Sequence, residues 1–439
     1  MTDSAQPPNV QDLRFVRVVW CDNANVIRGK AFHTRFLAEH QERGVGIAMA
    51  QQAIPVMYDA IAPHSGLSPV GEVWLVPDWS TFAPLPYTPG HGRALGDMIH
   101  QGEPWALCPR GFLKRMIAQA EGLGLQVKAA FEHEFYLLRS TQPLLPVDTT
   151  VFASTLGMDM NHGVIDAITD ALTLQGIPVE RYYAESGHGQ HELSMRYTHA
   201  LQAADWQIVF RETVRGVALR HGLTASFLPK IFAQQAGSGC HLHFSLWQGD
   251  MNLLPAPQGL SPLAQAFVAG VLHHLPALMA LTTPSCNSYR RLKPHFWSGA
   301  FRCWGWDNRE AAVRLPSNPT TPSPTHIELK TVDASANPYL ALGATIAAGL
   351  DGIQQRMTLG AAVAVDPGEW SIEEQQARGV DRLPTHLGDS IAHLKDDAVL
   401  IRALGSPLAQ AFLAVRQAEW EFFKAMELDE EVNLLLERY

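Results

Sequence analysis

Four short stretches of this chain set carboxylates or imidazoles in apolar, strand-like surroundings. They are Phe131-Glu132-His133-Glu134-Phe135, the run from Glu185 to Glu192, Gly239-Cys240-His241-Leu242-His243, and Ile327-Glu328-Leu329. A carboxylate inside an apolar strand is costly unless something pairs with it, so the fold must bring these groups to a common partner. A divalent cation held by oxygen ligands is the usual partner for several carboxylates together. Alternate residues of a strand point to one side. Glu132 and Glu134 therefore share a face, with Phe131, His133 and Phe135 behind them. His241 shares a face with His243, and Glu328 with Lys330. Singly, a Glu-x-Glu pair is commonly a solvated face and a His-x-His pair commonly packs or meets water. Six candidate ligands in four segments (Glu132, Glu134, Glu185, Glu192, His241 and Glu328) form a stronger pattern.

Arginines supply the complementary charge. Asn287-Ser288-Tyr289-Arg290-Arg291 is followed by Asn308-Arg309 and then Arg314. A guanidinium fork suits phosphate and carboxylate, although a single arginine is as often a surface ion-pair partner. Acidic metal ligands beside several arginines describe a site for a metal-bound polyphosphate. No Gly-x-x-x-x-Gly-Lys-Ser/Thr run is present, which excludes a P-loop.

The bulk numbers narrow the class. With 439 residues, 46% of them hydrophobic and 17% charged, the chain reads as globular with two or three domains. A net charge of -10 without a basic run argues against nucleic acid or an anionic membrane as partner. The polar N-terminus and the lack of a long uninterrupted apolar run predict a cytoplasmic protein without a membrane span. Five scattered cysteines, with no Cys-x-x-Cys spacing, read as reduced thiols. The pattern predicts strands at 13–20, 26–32 and 73–76, with a turn at Asp22-Asn23-Ala24-Asn25. Helices are predicted over 109–120, 164–174, 205–221 and from Asn337-Pro338 to about Met357. A further helical face comprises Leu387, Ile391 and Leu394, and Ser406-Pro407 opens a last helix. A small N-terminal domain should end near residue 105.

Taken in order, eight motifs resemble those of the glutamine synthetase superfamily, nearly end to end. Besides the four stretches above, with Gly237 to Ser245 around the histidines, they include Phe227-Leu228-Pro229-Lys230, Asn287 to Arg291, Asn308-Arg309 and Asn337-Pro338-Tyr339-Leu340. The resemblance implies an α+β fold: a β-grasp domain over 1–105, and over 106–439 a catalytic domain with a curved antiparallel sheet and helices. It implies active sites between subunits of a homo-oligomer, usually two stacked hexameric rings, with Asp22 reaching a neighbour's site. It also implies that Glu134, Glu185 and Glu192 hold one Mg2+ or Mn2+ ion, and that Glu132, His241 and Glu328 hold a second. Glu180, His243 and Ser245 would meet the nucleotide. Arg309 and Arg314 would face the phosphates, and Arg291 and Gly237 the amino-acid substrate. ATP would phosphorylate a side-chain carboxylate, and an amine would displace the phosphate.

Three departures bear on substrate. Trp297 stands where ammonia-using members carry a glutamate that helps bind ammonium and accept its proton; an indole offers only a donor and an apolar, cation-attracting face. Ala236 replaces an asparagine, and Lys330 replaces an arginine near the transferred phosphate. These changes predict joining of glutamate to an amine larger than ammonia. Three other readings stand beside it: an ammonia-using enzyme in which Trp297 fills the flap and Asp22 handles the proton, a ligase for another acid, and an inactive structural member. The residues after Met357 show no match to the tyrosine loop some bacterial members use for adenylylation.

Overall fold

The computed structural model describes residues 9–257, 259–317 and 325–439. The first sheet is built from β1 (Phe15–Cys21), β2 (Ile27–His33), β3 (Val45–Ala48), β4 (Glu72–Pro84) and β5 (His91–His100), in the order β2-β1-β5-β4-β3. β1 and β5 run parallel and their neighbours antiparallel. Val16, Val18, Ile47, Val73 and Leu75 fill its core, as period-two alternation requires.

The larger sheet positions the site. Its central strand β6 (Gln126–Thr141) is flanked on one side by β8 (Gln190–Met195), then β7 (Val179–Ala184). On the other side lie β9 (Cys240–Gln248), β12 (Ile327–Leu329), β11 (Ala311–Leu315) and β10 (Phe301–Trp306). All these neighbours are antiparallel except β10 and β11. Helices α1 (Pro109–Gly122), α2 (Thr155–Leu174), α3 (Ala200–Arg220), α4 (Pro262–Thr282), α5 (Cys286–Arg291) and α6 (Pro338–Gln354) follow the chain around it. Phe131 and Phe135 face that helical layer, and His133 stacks on Phe210 of α3 at 4.1 Å. Burial pushes the His133 imidazole down to about 3, so it is a neutral core side chain on the face opposite the site. The α+β architecture expected from the sequence is present.

Several local expectations need correction. Glu185 lies in the connection between β7 and β8, outside any strand. The helix opened by Ser406 (Ser406–Phe423) is followed by another, Leu428–Leu435. Helix α4 gives no amphipathic signal because its window is 72% buried; it alone among single described helices is long and apolar enough to cross a membrane. Asn337 caps α6 as expected, accepting from the amides of Tyr339 and Leu340.

The β1–β2 turn is locked onto segments that surround the larger sheet. Asn337 Nδ2 donates to Asp22 O, Arg416 Nη2 to Asn23 O, Tyr439 Oη to Ala24 O, and Asn25 Nδ2 to Ala334 O, all at 2.7–3.0 Å. Arg110 adds a second tie, pairing with Asp78 and Asp97 of the first sheet and Asp205 of α3.

Candidate active site

Strand register assembles the acidic residues. Glu134 lies opposite Glu192 on β8, while Glu132 lies opposite His241 on β9. His243 is opposite Glu328 on β12, and Glu328 is opposite Arg314 on β11. Directly opposed residues have Cβ atoms roughly 5 Å apart, so residues distant in sequence share one face of five adjacent strands. Glu185 joins from its loop, whose amide donates to Gln190 O at 2.8 Å. Gly187 lets that loop close on β6, since a Cβ there would meet Tyr136 Oη at 1.9 Å.

Two groups result. In the first, Glu134, Glu185 and Glu192 each place an oxygen within 4.8 Å of the others. Burial, followed by the charge of Glu185, pushes the Glu134 carboxyl up to about 8 despite a hydrogen bond from the Gly239 amide. Burial and the charges of Glu132, Glu134 and Glu185 push Glu192 up to about 10. Three crowded carboxylates with oxygen ligands free to converge fit a hard divalent cation.

The second group pairs Glu132 and Glu328 with imidazoles. The sequence reading gave that seat to His241 and sent His243 to the nucleotide. The mutually close set is instead Glu132, His243 and Glu328. His241 is not displaced, for its Nδ1 lies 3.2 Å from Glu132 and 3.4 Å from Glu328, while His243 Nε2 lies 3.4 Å from Glu132. Burial and then the Lys330 charge push His241 down to about 4, leaving the neutral form a metal needs. His243 shifts the other way: burial opposes, but hydrogen bonding to Glu132 raises it. Geometry favours His243 and protonation favours His241, so the pair together borders this seat. Glu328 is held well below the carboxylate range, against burial, by Lys330, the two histidines and Arg314. Arg314 Nη1 sits 2.6 Å from it, so this arginine is engaged with a carboxylate as well as facing the cavity.

Both groups line a cavity of about 390 Å³, bordered also by Gly237, Arg291, Trp297, Arg309, Arg314 and Lys330. Arg291 is buried, with Nη2 donating to Lys330 O and Val332 O. A Cβ at Gly237 would lie 2.5 Å from Arg291 Cγ, so only glycine admits this arginine. Glu180 and Ser245 do not border that cavity. They line an adjoining one of about 430 Å³, which shares Glu132, Arg181, Ser194, His243 and His326 with the first. Sequence reasoning missed its stacked aromatic pair, Tyr197 and Trp247, 6.2 Å apart, with Lys128 Nζ 3.8 Å over the indole. It also missed Phe152, Tyr183 and Phe296 in the first cavity.

Asp22 belongs to neither cavity. Its side chain is 1% exposed; Oδ1 accepts from the amides of Ala24 and Val26, and Oδ2 from Arg28. Within its own subunit that carboxylate is fully enclosed by these partners.

Comparison with known proteins accords with this geometry. The glutamine synthetase N-terminal domain family matches residues 4–105, and the glutamine synthetase catalytic domain family matches residues 106–434. The chain belongs to the glutamine synthetase family. It is an ATP-dependent carbon–nitrogen ligase of that family. It is 38% identical over 421 residues to the gamma-glutamylpolyamine synthetase GlnA3 of Streptomyces coelicolor, covering 93% of this chain and 90% of that one. It is 34% identical over 455 residues to type-1 glutamine synthetase 1 of Dictyostelium discoideum, covering 97% and 90%. A crystal structure of a novel glutamine synthase homologue superposes with a TM-score of 0.86 at 32% identity, covering 98% of this chain and 100% of that one. GmaS in complex with ADP gives 0.85 at 31%, covering 99% of each.

Proposed function

We propose that this ligase joins the side-chain carboxylate of glutamate to an organic amine larger than ammonia. One observation carries the reading. Every carboxylate bordering the first cavity among the described residues belongs to one of the two metal-type groups, and Trp297 stands over the cavity 57% exposed. No acidic side chain is left over to bind ammonium and take its proton. The indole, with Phe296 and Phe152 lining the same cavity, suits an amine with an apolar body, and the similarity to a gamma-glutamylpolyamine synthetase supports the same branch.

In this reading Glu134, Glu185 and Glu192 hold one Mg2+ or Mn2+ ion. Glu132, Glu328 and an imidazole of the His241–His243 pair hold another. The ions would offset the charge of phosphate approaching carboxylate. Arg291 holds the α-carboxylate beside Gly237. Arg309, Arg314 and Lys330 neutralise the transferred phosphate. The base of ATP rests by Tyr197 and Trp247, near Glu180 and Ser245. We also propose a homo-oligomer of stacked rings, with active sites between subunits.

The test is a phosphate-release screen with ATP, glutamate and Mg2+ or Mn2+ against polyamines, alkylamines, arylamines and ammonium. An organic amine should exceed ammonium in kcat/KM. Ammonium equal to or above every organic amine would reject the proposal.

A further inference from the structure

The segment between Leu292 and Phe301 carries Trp297 to the cavity in a shape its own sequence does not favour. His295, Trp297 and Gly299 have φ of 66°, 52° and 73°, a left-handed region that suits glycine and that bulky side chains seldom enter. Something outside the segment must hold it. Glu310 does so with one carboxylate, for Oε1 accepts from the Trp297 amide at 2.7 Å and Oε2 from the His295 amide at 3.2 Å. Glu310 is only 5% exposed. It is itself braced, since its amide donates to Asn308 Oδ1, and Asn308 Nδ2 donates to Val363 O and Val365 O. Two lesser ties help. His295 Nδ1 lies 2.7 Å from Asp366, and Ser298 Oγ accepts from the Lys293 amide while donating to its carbonyl. The next residue back, Arg309, puts its guanidinium 5.4 Å from the Trp297 ring centroid. Consecutive side chains thus hold Trp297 from both ends, Arg309 at the ring and Glu310 at the backbone. Glu310 does not border the cavity and touches neither metal-type group.

We propose that Glu310 is a positioning residue that fixes Trp297 as the wall of the amine subsite and thereby sets selection for bulky amines over small nucleophiles. The inference rests on the amine-ligase reading and deepens it. A side chain serving only general stability would, when lost, reduce all reactions in proportion. Loss of a wall should raise KM for a bulky amine and leave a small nucleophile untouched.

Glu310→Ala and Glu310→Gln are compared with the parent enzyme in the assembled, full-length form. The probes are benzylamine and butylamine as bulky amines, and hydroxylamine, which reports acyl activation through the glutamyl hydroxamate. For Glu310→Ala, KM for the bulky amines should rise at least tenfold, while kcat and KM with hydroxylamine and KM for ATP stay within twofold. Glu310→Gln, which keeps one acceptor oxygen, should fall between. Hydrogen exchange should accelerate over 292–300 and stay unchanged over 327–340. Parallel loss with all nucleophiles, or unchanged exchange over 292–300, would overturn the positioning role. Parent enzyme that forms hydroxamate but no organic amide would instead sink the underlying reading, and the selection role with it.

Discussion

Cation binding at the Glu134, Glu185 and Glu192 group should expel protons in a countable way. Burial and mutual repulsion raise Glu134 to about 8 and Glu192 to about 10. At pH 7 and without a cation, roughly nine-tenths of a proton therefore sits on Glu134 and nearly a full one on Glu192. A cation needs both oxygens bare, so about two protons should leave from this group for each ion bound. Apparent affinity should then climb about a hundredfold per pH unit near pH 7, and about tenfold per unit near pH 9, where only Glu192 still holds its proton. The same shifts fix the sign for stability. Raised folded-state values stabilise the metal-free fold below about pH 4.5, and that contribution is lost as pH rises through 8 and then 10. Saturating cation should oppose the loss. The assay is calorimetric titration with Mn2+ or Mg2+ at pH 7 in two buffers of different ionisation enthalpy. Protons released on filling the second seat are common to both proteins when the parent is compared with Glu192→Gln, and they cancel in the difference. The variant should release about one proton fewer. Equal counts in the two proteins, or no release by the parent at pH 7, would refute the crowding argument.

Three further outcomes follow from the same geometry. Glu134→Ala and Arg309→Ala should each lower kcat by at least about a hundredfold, the scale of one lost group stabilising transition-state charge; single-turnover phosphate release checks this, and near-normal turnover would remove the residue from the proposed machinery. Trp297→Glu restores an acid at the amine subsite and should raise ammonium kcat/KM relative to the best organic amine; an unchanged ratio contradicts the role given to the indole. His274 joins α4 to Asp397 and Asp351 at 2.6 and 3.1 Å, and these bonds raise it against burial. Its contribution is full below about pH 6.5 and fades as pH rises through the raised folded value. His274→Gln should therefore cost about 3 kcal/mol at pH 6 and less at pH 9, as urea unfolding can measure.

The metal-type residues were legible because strand periodicity is local and the carboxylates break an apolar pattern. What local pattern could not decide was pairing. His241 and His243 project from one face of β9, and Glu132 and Glu328 lie on the strands to either side. Opposite and diagonal neighbours across a sheet are both within reach of a long side chain, so spacing alone cannot choose the imidazole. The stacked Tyr197 and Trp247 escaped notice for a related reason. One follows β8 and the other lies near the end of β9, and the sheet brings them together on either side of β6. Helix α4 escaped because burial on most sides erases the periodic signal by which a surface helix is found.

The turn at Asp22 shows the converse case, in which the local reading was sound but gave no sign of the long-range contacts. Asp22-Asn23-Ala24-Asn25 does form the β1–β2 turn, and polar residues at a hairpin tip normally face water or a partner. Here the tip faces its own catalytic domain, and most of its polar groups are engaged, with Asn23 Oδ1 buried and left over. The Asp22 carboxylate closes the turn and pairs with Arg28. The backbone carbonyls of residues 22–24 accept from Asn337, Arg416 and Tyr439, and the Asn25 side chain bonds Ala334 and Arg211. A turn that satisfies so many buried donors anchors the first sheet to the second.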